Sequence, residues 1–225
     1  MSPYTIDTSR TSPNHSSRDG ADISMLVLHA TVGSYASSLA WLTNPNSGVS
    51  THYLISKAGY IAQLVPDNLA AWHAGKSRWF DLDSDEIQDQ SIGIELENKN
   101  NGIDPYPAAQ MSALLWLSRN LITDYHIMSD MVTRHLDIAI PKGRKTDPAG
   151  FPWLSFKVAL KVPQSRAVHA GPYGAIARQD YQAAGRAAAY FPPGTAIEID
   201  DFHANGYRHT VSGVGFIADG DLVLT

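Results

Sequence analysis

Two histidines and an aspartate stand at places where they could together hold a metal ion. His29 ends the apolar run of residues 22–28, His135 follows the short β-prone run 131–134, and Asp147 comes 12 residues after His135. The chain has no cysteine, so any metal must be held by histidine and carboxylate side chains. Two neutral imidazoles and one carboxylate would leave a zinc ion a net charge of +1 and one position for water.

Each of these residues also has an ordinary structural interpretation. A histidine at a strand end more often belongs to a structural network, and an aspartate before proline is commonly a turn or cap residue. The spacing differs from the helix-borne His-Glu-x-x-His pattern of many zinc enzymes. Spacing alone therefore leaves a zinc site as one possibility among several.

The elements that must position these residues alternate between strands and helices. Apolar or alternating runs predict five strands, over residues 22–28, 52–56, 60–65, 91–98 and 131–134. Apolar residues at helical spacing predict three helices, over residues 34–42, 107–125 and 153–160. Alternation within 91–98 places Gly93, Glu95 and Glu97 on one face of a strand, opposite its apolar residues.

Length and composition predict a main domain followed by a small one. The 225 residues are 44% hydrophobic and 17% charged, which suits a packed core and excludes bulk disorder. Residues 1–21 are polar and read as an irregular N-terminal arm, and residues 22–160 read as the main domain. In residues 161–225 short β-like runs alternate with turns, which predicts a small C-terminal β-barrel-like module.

Charge and hydropathy argue against several functions. The net charge is −5 without a basic run, so we expect no nucleic-acid partner. No stretch approaches about 18 consecutive apolar residues, so we expect no membrane span. The N-terminal residues lack the apolar segment of a secretory signal. If Met1 is the natural start, we expect synthesis in the cytoplasm without an export signal, and we favour a monomer.

Four segments in this order resemble the type-2 class of zinc-dependent N-acetylmuramoyl-L-alanine amidases. They are LVLHAT, GVSTHYLISKAGYIAQLVPDNLAAWHAG, SIGIELEN and TRHLDIAIPKGRKTDP, and the resemblance covers about residues 23–160. The family shares its fold with peptidoglycan-recognition proteins and some phage lysozymes. The resemblance implies an α/β fold with a central mixed β-sheet flanked by helices. It also implies one zinc ion (Zn2+) per chain and cleavage of the amide between N-acetylmuramic acid and L-alanine of the peptidoglycan stem peptide.

The resemblance also implies roles for five residues. His29, His135 and Asp147 match the zinc ligands of the family, and Asp147 stands where some relatives have cysteine. Glu95 matches the acidic residue that acts on the zinc-activated water. Lys145 matches the lysine that is thought to stabilise the oxyanion.

The residue types suit these roles but leave alternatives open. The Glu95 carboxylate can take a proton from water and pass it to the leaving amine, while Glu97 on the same face is its rival. Lys145, two residues before Asp147, would face the charge that develops on the carbonyl oxygen; the alternative is a surface cation. Other branches use a tyrosine where this chain has Thr51, so the version of the mechanism that uses Glu95 is implied.

Five more residues are candidates for substrate binding. Trp72 and His73 match a Trp-His turn near the substrate groove of the family, and the alternative is a core tryptophan beside a satisfied histidine. His52 is a further candidate, for which a structural or supporting role is the alternative. Arg78 and Arg144 could hold peptide carboxylates through a bidentate fork.

Residues 162–225 resemble the small bacterial Src-homology-3-like modules that accompany cell-wall enzymes. The resemblance rests on short β runs, on Pro-Pro-Gly-Thr at 192–195, and on the aromatic residues Tyr173, Tyr181, Phe202 and Tyr207. It implies that the module binds peptidoglycan and tethers the enzyme to the wall. The alternative is a β extension that packs on the catalytic domain and has no ligand of its own.

The sequence thus predicts a peptidoglycan amidase whose partner is peptidoglycan or a muropeptide. Without an export signal, a phage or prophage endolysin fits, because it would reach the wall when the membrane is breached. The alternatives are a cytoplasmic muropeptide-recycling amidase and a non-catalytic peptidoglycan-binding protein on the same fold. Such binding proteins typically lose a metal ligand, so the full set of matching residues favours catalysis.

Overall fold

The computed structural model describes residues 4–160 continuously and, beyond them, 166–170, 175–178, 187–192, 195–204, 207–210, 216–218 and 222–224. The chain divides into two compact units, Met1–Leu160 and Lys161–Thr225. In the part of the chain that is described, no helix is long and apolar enough to cross a membrane.

A six-stranded mixed sheet forms the centre of the first unit. Its spatial order is β1 (Ile6–Asp7), β5 (Ile61–Gln63), β4 (Tyr53–Ile55), β7 (Ser91–Leu96), β3 (Met25–Ala30) and β8 (Val132–Arg134). Only β4 and β5 pair antiparallel among these described strands, and the other neighbours are parallel. A separate antiparallel pair joins β2 (His15–Ser17) to β6 (Leu69–Ala71).

Helices flank this sheet, as the resemblance implied. They are α1 (Tyr35–Leu42), α2 (Ser84–Gln90), α3 (Ala108–Tyr125), α4 (His135–Ile138) and α5 (Trp153–Leu160), with short 3-10 helices at Pro45–Ser47 and Ser129–Met131. The core lies where β3 and β7 meet α3 and α5, and every residue of β3 is buried. The expected central mixed sheet flanked by helices is therefore confirmed.

Helix α2 and strand β6 are among the elements that the sequence did not predict. Helix α2 buries only Ile87, so it shows no apolar stripe, and its start is fixed instead by a capping box between Asp83 and Glu86. Strand β6 has three residues and pairs with the N-terminal segment. Short elements of this kind depend on their partners more than on their own hydropathy pattern.

The N-terminal arm is more ordered than the sequence suggested, because it contains β1 and β2. Its Arg18 is buried, and the guanidinium donates to the carbonyl oxygens of Asp67 (2.7 Å), Ser91 (3.1 Å) and Asp89. One guanidinium nitrogen also lies 2.8 Å from Nε2 of His52. Arg18 thus ties the arm to the end of α2 and the start of β7.

Replacing Arg18 by methionine should lower the free energy of unfolding by about 2–4 kcal/mol. The change keeps the apolar stem but leaves three inward-facing carbonyl groups without a charged donor. Urea denaturation measures the effect, and exposed Arg10 on the same arm provides the control, since Arg10→Met should change stability by less than about 0.5 kcal/mol. Equal effects of the two substitutions would contradict the role given to Arg18.

Among the described residues of the second unit, seven strands form one sheet. They are β9 (Arg166–Ala170), β10 (Ala175–Arg178), β11 (Ala187–Phe191), β12 (Ala196–Ala204), β13 (Tyr207–Thr210), β14 (Phe216–Ala218) and β15 (Leu222–Leu224). The spatial order is β11-β10-β14-β13-β12-β9-β15, and all of the pairings between these described strands are antiparallel. Closure into a barrel and the Src-homology-3-like assignment stay predictions. Tyr173, Tyr181 and positions 193–194 of the expected module lie outside the described residues.

Candidate metal centre

Two of the three candidate ligands, His29 and His135, lie at or directly after the carboxyl ends of adjacent parallel strands, and Asp147 lies in the loop between α4 and α5. His29 is the fifth residue of β3 and stands beside Glu95 of β7 in the parallel register. Strand β8, on the other side of β3, ends directly before His135, the first residue of α4. Open α/β sheets place their ligand sites outside this end of the strands, so the sheet topology brings His29, His135 and Glu95 to one edge, where the loop adds Asp147.

Three of these side chains converge on one point. Oδ2 of Asp147 lies 3.0 Å from Nδ1 of His135 and 3.5 Å from Nδ1 of His29, and the two Nδ1 atoms lie 2.9 Å apart. All three residues are buried, and their potential ligand atoms lie within 4.8 Å of one another. The structure therefore brings together the three residues that the sequence singled out as possible metal ligands.

The charges of this group suit a cation. Burial, together with the nearby His135, lowers the pKa of His29 to about 4 against the opposing effect of Asp147, so the His29 imidazole is neutral at pH 7. Burial alone would raise the pKa of Asp147, but its close contacts with the imidazoles of His135 and His29 hold that pKa well below its usual range. The cluster thus offers neutral nitrogen and ionised oxygen, the protonation states in which these groups bind metals.

A pocket of about 490 Å³ opens above the three residues. Its lining includes Glu95, Lys145, Trp72 and His73 as well as the candidate ligands. Trp72 is partly buried, and its indole N–H donates to the Ser16 hydroxyl at 3.3 Å. Trp41, which the sequence did not single out, lies at the rim with a side chain that is 55% exposed.

Glu95 and Glu97 occupy different environments. The Oε2 atom of Glu95 is buried and forms no hydrogen bond within the described residues. Burial and the nearby Asp147 carboxylate raise the pKa of Glu95 to about 8, against the opposing charge of Lys145. Glu97 instead accepts hydrogen bonds from the backbone N–H of Tyr35 (3.0 Å) and Lys57 (2.8 Å). Glu97 holds the scaffold in place, which leaves Glu95 as the carboxyl group available in the pocket.

Three candidate substrate residues do not line this pocket. His52 is fully buried, and its ring accepts from the Gly93 N–H and lies 3.0 Å from the Leu69 carbonyl oxygen. The exposed Arg144 side chain donates to the carbonyl oxygens of Lys76 and Ile140. Arg78 is also exposed and is held by its backbone N–H.

Gly93 lies beside the candidate site, and sequence reasoning did not select it. The signal that could have found it is a glycine inside a predicted strand. A Cβ atom at this position would lie 2.5 Å from Cγ of His73 and 2.7 Å from its Cδ2. The imidazole therefore rests directly on the backbone of β7. An isolated glycine within a strand often marks such a close approach.

Substitution of Gly93 by alanine should destabilise the protein by about 1–3 kcal/mol, because the His73 ring and the strand cannot both keep their places. Thermal or urea denaturation measures this cost. In a His73→Ala background the same substitution should cost much less, since the ring that causes the clash is gone. An equal cost in both backgrounds would show that another contact makes Gly93 necessary.

Comparison with known proteins shows which family the chain belongs to. The family model described as N-acetylmuramoyl-L-alanine amidase matches residues 19–150. N-acetylmuramoyl-L-alanine amidase AmiD of Escherichia coli K12 is 41% identical over 165 residues, which are 67% of this chain and 56% of AmiD. The 1,6-anhydro-N-acetylmuramyl-L-alanine amidase AmpD of Salmonella typhimurium SL1344 is 41% identical over 113 residues, or 50% of this chain and 57% of AmpD.

Solved structures give the same result. A selenomethionine AmpD derivative superposes with a TM-score of 0.57 at 30% identity, over 71% of this chain and 96% of that one. E. coli AmiD, in complex with the substrate anhydro-N-acetylmuramic acid-L-Ala-D-γ-Glu-L-Lys, gives a TM-score of 0.55 at 38% identity, over 70% of this chain and 63% of that one. This chain spans little more than half the length of the curated relatives AmiD and AmpD. With its match over residues 19–150, the chain belongs to the N-acetylmuramoyl-L-alanine amidase family.

Proposed function

We propose that the protein is a zinc-dependent N-acetylmuramoyl-L-alanine amidase. It would hydrolyse the amide that joins the lactyl group of N-acetylmuramic acid to L-alanine of the stem peptide. The observation that carries this proposal is the convergence of His29, His135 and Asp147 in the lining of a pocket that Glu95 and Lys145 also line. A binding protein without activity would have no need for this complete set.

The donor atoms fit a zinc ion. A histidine binds a metal as the neutral imidazole. Because the Ala74 carbonyl can only accept, its contact of 3.2 Å with Nε2 of His135 would place the single proton of that form on Nε2. Nδ1 of His135 then presents a lone pair to Oδ2 of Asp147, which is also an acceptor, at 3.0 Å. Two acceptors this close repel each other unless a proton or a cation lies between them. Two imidazoles and one carboxylate are a usual ligand set of catalytic zinc. When bound, a zinc ion supplies a Lewis acid that polarises the scissile carbonyl and acidifies water.

Glu95 is the proposed general base and general acid. Its Oε2 atom has no hydrogen bond within the described residues and is free to accept a proton from the attacking water. As the C–O bond forms and the C–N bond breaks, Glu95 passes that proton to the leaving nitrogen of L-alanine. With a pKa of about 8, the ionised form of Glu95 that acts as the base becomes more populated as the pH rises from 7 to 8, and the protonated form can return the proton.

Lys145 is proposed to stabilise the charge of the transition state. It lies in the pocket lining together with Glu95 and Asp147. Its ammonium group can donate to the carbonyl oxygen while negative charge develops there. Of the substrate candidates, Trp72 and His73 lie in the pocket lining, whereas Arg78 and Arg144 could meet only a substrate that extends beyond it.

The relatives favour a soluble substrate. The name of AmpD specifies 1,6-anhydro-N-acetylmuramyl-L-alanine, and AmiD was solved with an anhydro-muramyl tripeptide. We therefore propose that this protein acts on anhydro-muropeptides, as the recycling alternative anticipated. Action on the intact wall as an endolysin, wall binding by residues 161–225, the monomeric state and the compartment stay predictions from the sequence.

The proposal is tested by incubating the zinc-loaded protein with anhydro-muramyl tripeptide and, separately, with purified cell walls. Release of new primary amines from the tripeptide is expected to be faster than release from the wall, compared per mole of amide. A clear preference for the wall would instead support the endolysin prediction. No amine release from either substrate would contradict the proposed activity.

A further inference from the structure

We propose that His73 is a positioning residue that holds the metal ligand His29 in the orientation and tautomer in which its Nδ1 is free to bind metal. This inference rests on the proposed metal-binding role of His29. It differs from the substrate-binding role that the Trp-His turn suggested for His73. Its basis is a chain of hydrogen bonds that runs away from the pocket into the scaffold.

The chain of hydrogen bonds has four members and starts at His29. Nε2 of His29 lies 3.1 Å from Nδ1 of His73, and Nε2 of His73 lies 3.1 Å from the Ser91 hydroxyl. The Ser91 hydroxyl in turn donates to the Ile87 carbonyl oxygen in the last turn of α2. Both ring nitrogens of His73 are therefore occupied by protein groups.

The Ile87 carbonyl, the last member of this series, sets the direction of every hydrogen bond in it. A carbonyl oxygen can only accept, so the Ser91 hydroxyl donates its single proton to Ile87. The Ser91 oxygen then accepts from Nε2–H of His73, and Nδ1 of the neutral His73 ring is left as an acceptor. That acceptor takes Nε2–H of His29, which leaves the Nδ1 lone pair of His29 directed at the metal centre.

The rings are held so that this order cannot easily reverse. Ser91 is fully buried and His73 is 8% exposed, so water cannot readily replace either partner. The His29 and His73 rings meet edge to face, with centroids 5.1 Å apart at 83°. The other side of His73 rests on Gly93, where no Cβ could fit.

Three residues on one face of β7 support His73 and the pocket. Residues two apart on a strand share a face, and Ser91, Gly93 and Glu95 are spaced in this way. Ser91 anchors the chain of hydrogen bonds, Gly93 seats the His73 ring, and Glu95 reaches the pocket. The backbone after His73 supports the second ligand as well, because the Ala74 carbonyl accepts from Nε2 of His135. The Trp-His turn therefore positions both ligand histidines.

The test compares two substitutions in the full chain, His73→Leu and His73→Gln. Zinc affinity is measured by competition with a chelating indicator, and cobalt(II) absorption reports the ligand geometry. Leucine fills space but cannot accept from His29, so zinc affinity should fall by about 10–100-fold. The glutamine amide keeps one acceptor and one donor, so His73→Gln should recover most of that affinity and a cobalt spectrum like that of the wild type.

Controls separate this role from general damage to the fold. Both variants should keep the circular dichroism spectrum of the zinc-free wild type, and His15→Leu, outside the cluster, should leave zinc affinity unchanged. Ser91→Ala should weaken zinc binding, because the order of the hydrogen bonds is no longer fixed. Wild-type affinity in His73→Leu, or equal losses in the leucine and glutamine variants, would overturn the inference while leaving the amidase proposal intact. A wild-type protein that does not bind zinc would overturn both.

Discussion

Glu95→Gln should lower kcat/KM for the muramyl–L-alanine amide by about 10²–10⁴-fold, while zinc stays bound with nearly wild-type affinity. The amide side chain keeps the size of Glu95 but cannot take a proton from water or return one to the leaving amine. Amine release at saturating zinc gives the rate, and chelator competition gives the affinity. A large loss of zinc affinity would instead make Glu95 part of the metal site.

Glu97→Gln is the matched control, since it makes the same chemical change two residues away. The Glu97 carboxylate accepts the backbone N–H groups of Tyr35 and Lys57. An amide has only one oxygen with which to accept them, so the expected cost is about 1 kcal/mol of stability with little change in kcat. If Glu97→Gln abolished turnover and Glu95→Gln did not, the roles of the two carboxylates would have to be exchanged.

Asp147→Asn should weaken zinc binding by more than about 100-fold and abolish activity at micromolar zinc. The substitution removes the negative charge and the oxygen ligand on which both histidine Nδ1 atoms converge. In the wild type, a chelator should abolish turnover and added zinc should restore it. Zinc at about 1,000 times its dissociation constant should also stabilise the wild type by about 4 kcal/mol, and this gain should disappear in Asp147→Asn.

Asp137→Asn provides the comparison for this prediction. Asp137 pairs with Arg134 at 2.7 Å, near the metal centre but outside the group of three. The change should leave zinc affinity within about twofold of wild type, because a partly exposed ion pair contributes little. The zinc-dependent gain in stability should therefore be almost the same as in the wild type. If Asp147→Asn kept wild-type zinc affinity, Asp147 would not be a ligand.

The pattern of the sequence explains the sheet better than it explains the site. An apolar run predicts β3, since this strand is buried on both faces between two parallel neighbours, and alternation predicts β7. Helix α2 was missed because it buries a single side chain. The sequence did not predict that the N-terminal arm is ordered, because this order depends on Arg18. The partners of Arg18 lie some 50 to 70 residues away in the chain.

The site shows the same limit at the scale of single residues. Alternation placed Glu95 and Glu97 on one face and could not separate them. They differ because two distant backbone N–H groups bind only Glu97. Likewise, the motif around Trp72 and His73 indicated a functional turn, but only the contacts of His73 with His29 and Ser91 show what the ring can do. Partners brought close by folding are not encoded in local spacing.

The most direct test of the proposed function is mass spectrometry of the products formed from anhydro-muramyl tripeptide, with and without zinc. With zinc we expect two products, a free tripeptide with an L-alanine amino terminus and anhydro-N-acetylmuramic acid with a free lactyl carboxylate. We expect neither product after zinc has been removed. Intact substrate in the presence of zinc, or cleavage inside the peptide, would contradict the proposed function.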